Sequence, residues 1–160
     1  MKKVFIILII AMLFALPVSA NVLQDSDLSV GIGIGDSAHL TGRLDLDRTM
    51  AIVLNVGWGY GYSNGLYLRP QFQYAVSELE FNIDVARFYP YFGAALPVYI
   101  TGGLDLGIMG VAGLSYYFDD LPMEVYGELL PGFRVIRDST SGGSGFGFSG
   151  GIGVRWILGR

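Results

Sequence analysis

From Met50 to Tyr60 the chain reads MAIVLNVGWGY: every even position is large and apolar, and the odd positions between them are smaller or polar. Successive side chains of a β-strand point to opposite faces, so this period of two describes a strand with one oily face. A helix would scatter the same residues around its axis. A chain that repeats the pattern has to pair those strands and give each oily face somewhere to go.

The pattern does repeat. Leu28, Val30, Ile32 and Ile34 oppose Ser29, Gly31, Gly33 and Gly35. Leu40, Gly42, Leu44 and Leu46 oppose Thr41, Arg43, Asp45 and Asp47. Leu66, Leu68, Pro70, Phe72 and Tyr74 alternate with Tyr67, Arg69, Gln71 and Gln73, and Leu104 to Phe118 alternates throughout. Met123, Val125, Gly127 and Leu129 oppose Glu124, Tyr126 and Glu128; from Phe146, Phe148, Ile152, Val154, Trp156 and Leu158 oppose Gly147, Ser149, Gly151, Gly153 and Arg155. Phe88 to Tyr99, oily on both faces, is read as one more strand, which brings the number to eight. Glu78 to Val85 is read as a loop or short extension, because single-chain bacterial barrels use even strand numbers. Pro70, Pro97 and Pro131 fall inside strands and demand bulges or ladder breaks, since each lacks a donor.

One stretch invites a different reading. Gly31, Gly33 and Gly35 in SVGIGIGD have the look of a phosphate-cradling loop. Such a loop needs a helix N-terminus behind its glycines, and here alternation resumes within a few residues. The motif is a strand. Turn signals separate the segments at Asp36-Ser37, Asp47-Arg48-Thr49, Ser63-Asn64-Gly65, Thr101-Gly102-Gly103, Asp119-Asp120 and Asp138–Gly145.

Residues 1–20 stand apart. Lys2 and Lys3 precede the apolar run VFIILIIAMLFAL, then Pro17 and the small-residue ending Val18-Ser19-Ala20. This has the form of a secretory signal peptide cleaved after Ala20. The run is shorter than the roughly 20 residues of a spanning helix. The expected mature domain is 21–160. Both lysines leave with the leader, taking the formal charge from −4 to −6. An acidic chain without lysine has no nucleic-acid footprint. A chain without cysteine has no disulfide, thiolate ligand or thiol nucleophile.

A soluble sandwich also alternates, so the destination of the oily face needs its own argument. The strands run to about ten residues, the length of a tilted membrane-spanning strand, whereas strands in globular proteins average about 5–6. The other face is mostly Gly and Ser with a few charges, as a narrow barrel interior requires. Aromatic residues cluster at strand ends on the oily face: Trp58, Tyr60, Phe72, Tyr74, Tyr116, Phe118, Phe146, Phe148 and Trp156. That placement makes two interfacial girdles. The expectation is an all-β, antiparallel, up-and-down transmembrane β-barrel of eight strands.

The leader, the segment Pro122-Met123-Glu124-Val125-Tyr126-Gly127-Glu128-Leu129-Leu130-Pro131-Gly132 and the ending Gly151-Ile152-Gly153-Val154-Arg155-Trp156-Ile157-Leu158 together resemble the small eight-stranded outer-membrane barrels of the OmpA/OmpX type. They resemble still more the single-barrel proteins with a G-x-G-x-R-aromatic last strand. The resemblance implies residence in a bacterial outer membrane, with outer-membrane lipids and the barrel-assembly machinery as partners.

The inward charges are Arg43, Asp45, Asp47, Arg69, Glu124, Glu128, Arg134 and Arg155. Isolated charges in a narrow interior are too costly, so these are expected to pair in a lumen network that plugs the barrel. Two other uses of the same strands stay open: a narrow channel or small-solute binder using that Arg/Glu/Asp set, and a secreted soluble barrel whose oily face encloses an apolar ligand. No catalytic or metal site is legible, and no cofactor is implied. The single histidine, His39, beside Asp36 and Ser37, reads as a solvated loop-tip residue. Glu124 and Glu128 lie about 13 Å apart along one strand, too far for a glycosidase pair. The tips near Asp36, Ser63, Thr101 and Arg137–Gly145 share one end of the barrel but carry no legible ligand motif.

Overall fold

The structure is a computed structural model, and it describes residues 27–59, 65–76, 81–83, 86–100, 104–136 and 145–158. The leader, Tyr60, and the loop tips at Ser63, Thr101 and Arg137–Ser144 lie outside the described residues. The strands are β1 (Leu28–Gly35), β2 (Ser37–Asp45), β3 (Met50–Gly59), β4 (Gly65–Ala75), β5 (Phe81–Ile83), β6 (Ala86–Ala95), β7 (Val98–Ile100), β8 (Leu104–Tyr117), β9 (Met123–Ile136) and β10 (Phe146–Leu158).

These ten elements make eight staves. Each strand pairs antiparallel with its neighbours, and β1 closes the ring against β10 from Leu28↔Leu158 to Gly35↔Gly151. Segments β6 and β7 form one stave, since both lie between β4 and β8. The three residues of β5 pair with the start of β6, at Phe81↔Phe88. They extend a hairpin beyond the ring and add no stave, so the Glu78–Val85 segment, as far as it is described, is the short extension expected.

The prolines mark where the ladders give way. Pro70 and Pro97 meet at one break: β4 pairs with β6 as far as Gln71↔Ala95 and with β7 from Leu68↔Val98. The carbonyls there still find donors, Leu96 N to Pro70 O at 3.0 Å and Gly107 N to Pro97 O at 2.9 Å. A bulge in the β8–β9 ladder sits alongside, at Leu106/Gly107. Pro131 faces Phe148 of β10 and opens a gap in the β8–β9 ladder, which resumes in the same register at Ala112↔Leu129.

Alternation sorts the faces. Ile32, Ile34, Leu40, Leu54, Ile108, Leu129 and Ile152 point outward and are exposed, Leu40 by 67%. None of the described outward strand positions carries a charge. Inward lie a small apolar cluster, Tyr91, Ala95, Met109, Val111 and Leu130, and a larger polar group described below.

Interior glycines answer the question raised by SVGIGIGD. A Cβ on Gly33 or Gly153 would run into the Tyr126 ring or hydroxyl. One on Gly113 would run into Tyr91. These positions are bare because large side chains cross the narrow lumen over them. Outward Gly127 differs, with only Ile152 Cγ2 at 3.7 Å from a built Cβ. Gly153→Val is therefore expected to lose about 1–3 kcal/mol through overpacking, while Gly127→Ala stays within about 0.5 kcal/mol. Urea unfolding of the two variants in micelles checks this; equal losses would contradict the account.

Candidate functional site

Strands β2, β4, β9 and β10 direct their charged residues into the barrel because those residues occupy inward parity positions. Arg43 on β2 donates from Nε and Nη2 to Asp45 Oδ1, at 2.9 and 2.7 Å. Its Nη1 reaches Gln73 Oε1 at 3.3 Å and Glu124 Oε1 at 3.4 Å. Glu124 on β9 also accepts from Ser115 Oγ at 2.5 Å and from Arg155 Nη1 at 3.1 Å. Arg155 donates its Nε to Thr41 Oγ1 at 3.1 Å and lays its guanidinium 3.7 Å from the Tyr126 ring centroid. Farther along the barrel, Glu128 pairs with Arg69 and accepts from Gln71 Nε2 at 3.3 Å. Gln73 bridges to Gln71 at 2.7 Å, so the two carboxylate groups belong to one hydrogen-bonded column.

Arg155 is fully buried and Glu124 and Arg69 nearly so. Buried charges persist only when paired and hydrogen-bonded. Three guanidiniums (Arg43, Arg69, Arg155) face three carboxylates (Asp45, Glu124, Glu128), and the set is balanced. The pairing Arg155↔Glu124 is also a direct cross-strand register pair, whereas Arg69 and Glu128 meet across the lumen.

Two of the residues expected in this network lie elsewhere. Asp47 is excluded because β2 ends at Asp45. It is an exposed turn residue whose Oδ1 accepts from the backbone N–H groups of Thr49 and Met50, both at 2.7 Å. Those donors hold its carboxyl below the usual aspartate range. Arg134 is half-buried near the other end, its guanidinium 5.8 Å from the Tyr99 ring centroid.

His39 is a correction. The turn before β2 is the single residue Asp36, so His39 is the second inward position of the strand and is buried. Its Nδ1 lies 3.1 Å from Ser37 Oγ and its Nε2 3.3 Å from Tyr126 Oη. Tyr67 stacks beyond it, and Arg69 lies over Tyr67. Among the described residues, its hydrogen-bond partners are Ser37 and Tyr126, neither a carboxylate. Among the described residues, no group of three or more His, Asp or Glu is arranged to hold a metal. Thr41, Ser115 and Tyr126 also belong to the site, and only their inward parity could have signalled it.

The aromatic residues divide between the two rims. Trp58, Phe146 and Phe148 are exposed at the end of the barrel that carries Asp36. Phe72, Tyr74 and Trp156 are exposed toward the other end, where Tyr116 and Phe118 are half-buried and stacked edge to face. Inside, a cavity of about 480 Å³ lined by Arg43, Asp45, Tyr89, Tyr117 and Glu124 opens at that second end. One of about 260 Å³, with Asp36, Tyr99, Arg134 and Ser149, opens at the first. Fully buried Arg155, Tyr126, Leu130 and Gln71 fill the middle.

No family model matches this chain. No curated protein matches it either. Among solved structures it is similar to the N-terminal β-barrel domain of Pseudomonas aeruginosa OprF, with a TM-score of 0.50 and 17% identity over 83% of this chain and 96% of that one. The likeness is one of architecture, and with the closed ladders it makes this chain an eight-stranded antiparallel β-barrel.

Proposed function

We propose that the chain is an integral outer-membrane barrel with a structural or surface-exposed role, whose interior side chains act as a plug and carry out no catalysis. The observation that carries this reading is the outer face: an uncharged band of large aliphatic residues around the barrel, with aromatics toward both rims. Soluble monomers rarely expose contiguous apolar patches beyond a few hundred Å², whereas lipid requires such a band. A closed ladder also suits lipid, which cannot satisfy an open strand edge.

The leader-like residues 1–20 support export, with the barrel-assembly machinery and outer-membrane lipids as the partners met on the way. The plug reading draws on the filled middle of the lumen. A soluble barrel enclosing an apolar ligand would need the aliphatic faces turned inward, and they are turned outward.

Refolding tests the reading directly. The Asn21–Arg160 chain is diluted from urea with and without detergent micelles, then run unheated and boiled on a gel. A β-rich, heat-modifiable band formed only with micelles is the expected result. A monodisperse β-rich protein in plain buffer would overturn it.

A further inference from the structure

His39, the single histidine of the chain, is buried inside the barrel. Its place there is fixed by its neighbours. A Cβ on Gly33 of β1 would run into its Nε2, and one on Gly57 of β3 into its Cα and Cβ. Beside it those two strands turn no ionisable side chain inward, only Gly31, Gly33, Asn55 and Gly57. Nδ1 lies 3.2 Å from the Ser37 carbonyl oxygen, which can only accept. The ring proton therefore sits on Nδ1, and Nε2 accepts from the Tyr126 hydroxyl at 3.3 Å. The neutral imidazole satisfies both partners.

Two guanidiniums stand one tyrosine ring away. Arg155 of β10 lies 3.7 Å from the Tyr126 ring centroid. Tyr67 of β4, whose centroid is 6.3 Å from that of the imidazole, has Arg69 at 5.6 Å. Glu128 of β9 is taken up by Arg69 and Gln71. Toward the nearer rim stand Asp36, exposed in the turn, half-buried Arg134, and Asp105, the buried register partner of Tyr99, whose ring stacks on Tyr67. The lumen network already matches three guanidiniums to three carboxylates, so an imidazolium would be a fourth positive charge in it. Buried charges persist only when paired and hydrogen-bonded.

We propose that His39 is an acid switch of the plug: a proton on its imidazole sets an unmatched positive charge beside Arg69 and Arg155 and loosens the barrel in mildly acidic surroundings. The sign follows from linkage. Above about pH 6.5 the ring is neutral in the folded and the unfolded chain alike, and stability is held. Below it the unfolded chain takes up the proton without penalty and the folded barrel does not, so stability falls as the pH drops. The device lies wholly in the interior and works whatever the outer face meets.

Urea unfolding in micelles at about pH 8 and about pH 5.5 tests it, an interval that lies above the ordinary range of carboxylates. The wild-type unfolding constant is expected to rise by up to about tenfold on acidification, and that of His39→Gln to stay level. Equal responses in the two proteins would overturn the proposal. So would a wild type that stays level or gains stability, which would mean that Glu128 turns to meet the imidazolium. If the variant does not refold, NMR of the wild-type barrel decides, since a lone histidine needs no assignment. Its ring signals are expected to remain those of neutral imidazole in the folded barrel at about pH 5.5; imidazolium signals there would overturn the proposal.

Discussion

Arg155→Ala is expected to destabilise the barrel by about 3–5 kcal/mol, the usual loss when one partner of a buried ion pair is removed. The substitution leaves Glu124 almost wholly buried with its Oε2 stripped of the guanidinium and only Ser115 and a long contact to Arg43 remaining on Oε1. It also removes the group stacked on Tyr126 and the donor to Thr41. Arg155→Ala combined with Glu124→Gln should recover part of the loss, because the orphaned charge goes with its partner. Urea unfolding in micelles across the four-member cycle measures the coupling. A double variant as damaged as the sum of the single variants would mean that Arg155 serves by packing alone.

Leu54→Arg is the second large effect, about 2–4 kcal/mol for a guanidinium near mid-bilayer on the lipid face of a barrel. Leu54 sits at the middle of β3 between Gly42 and Pro70 on the neighbouring strands, and 47% of it is exposed. The described outward positions offer no carboxylate, so in the proposed membrane setting the introduced charge would meet hydrocarbon. Unfolding from lipid vesicles reads the cost. A neutral result would remove the lipid from this face and with it the membrane reading.

Facing was legible in the sequence because parity is a local property: once the alternation of Met50–Trp58 or Glu124–Leu129 is seen, the strand's two surfaces are assigned. Register was not. Nothing local says that Arg155 stands opposite Glu124, or that Arg69 finds Glu128 across the lumen, since those meetings depend on how neighbouring staves slide. Strand ends failed for the same reason. Asp47 keeps the inward parity of β2 yet lies past its end, and His39 is carried inside because one residue suffices for the β1–β2 turn. Neutral polar groups such as Thr41, Ser115 and Gln73 gave no charge cue, although the buried arginines depend on them. The prolines signalled a break, but that Pro70 and Pro97 share one could be seen only after pairing.

The balance of the interior decides what the molecule looks like from a distance. With the three positive and three negative groups of the lumen network cancelling, and no charge on the described outer band, the described surplus of acid lies toward the two ends of the barrel, one carboxylate of it, Asp105, buried. Asp27, Asp47, Asp119 and Asp120 stand exposed at one, against Arg48 and, at the start of β6, Arg87; Asp36 stands exposed at the other, against Arg134. The far field is that of two acidic caps on a neutral cylinder. It draws counter-ions to the rims and holds off polyanions there, an influence that fades beyond about 8 Å at physiological ionic strength. Added salt would quiet the caps and leave the sheltered pairs within almost untouched.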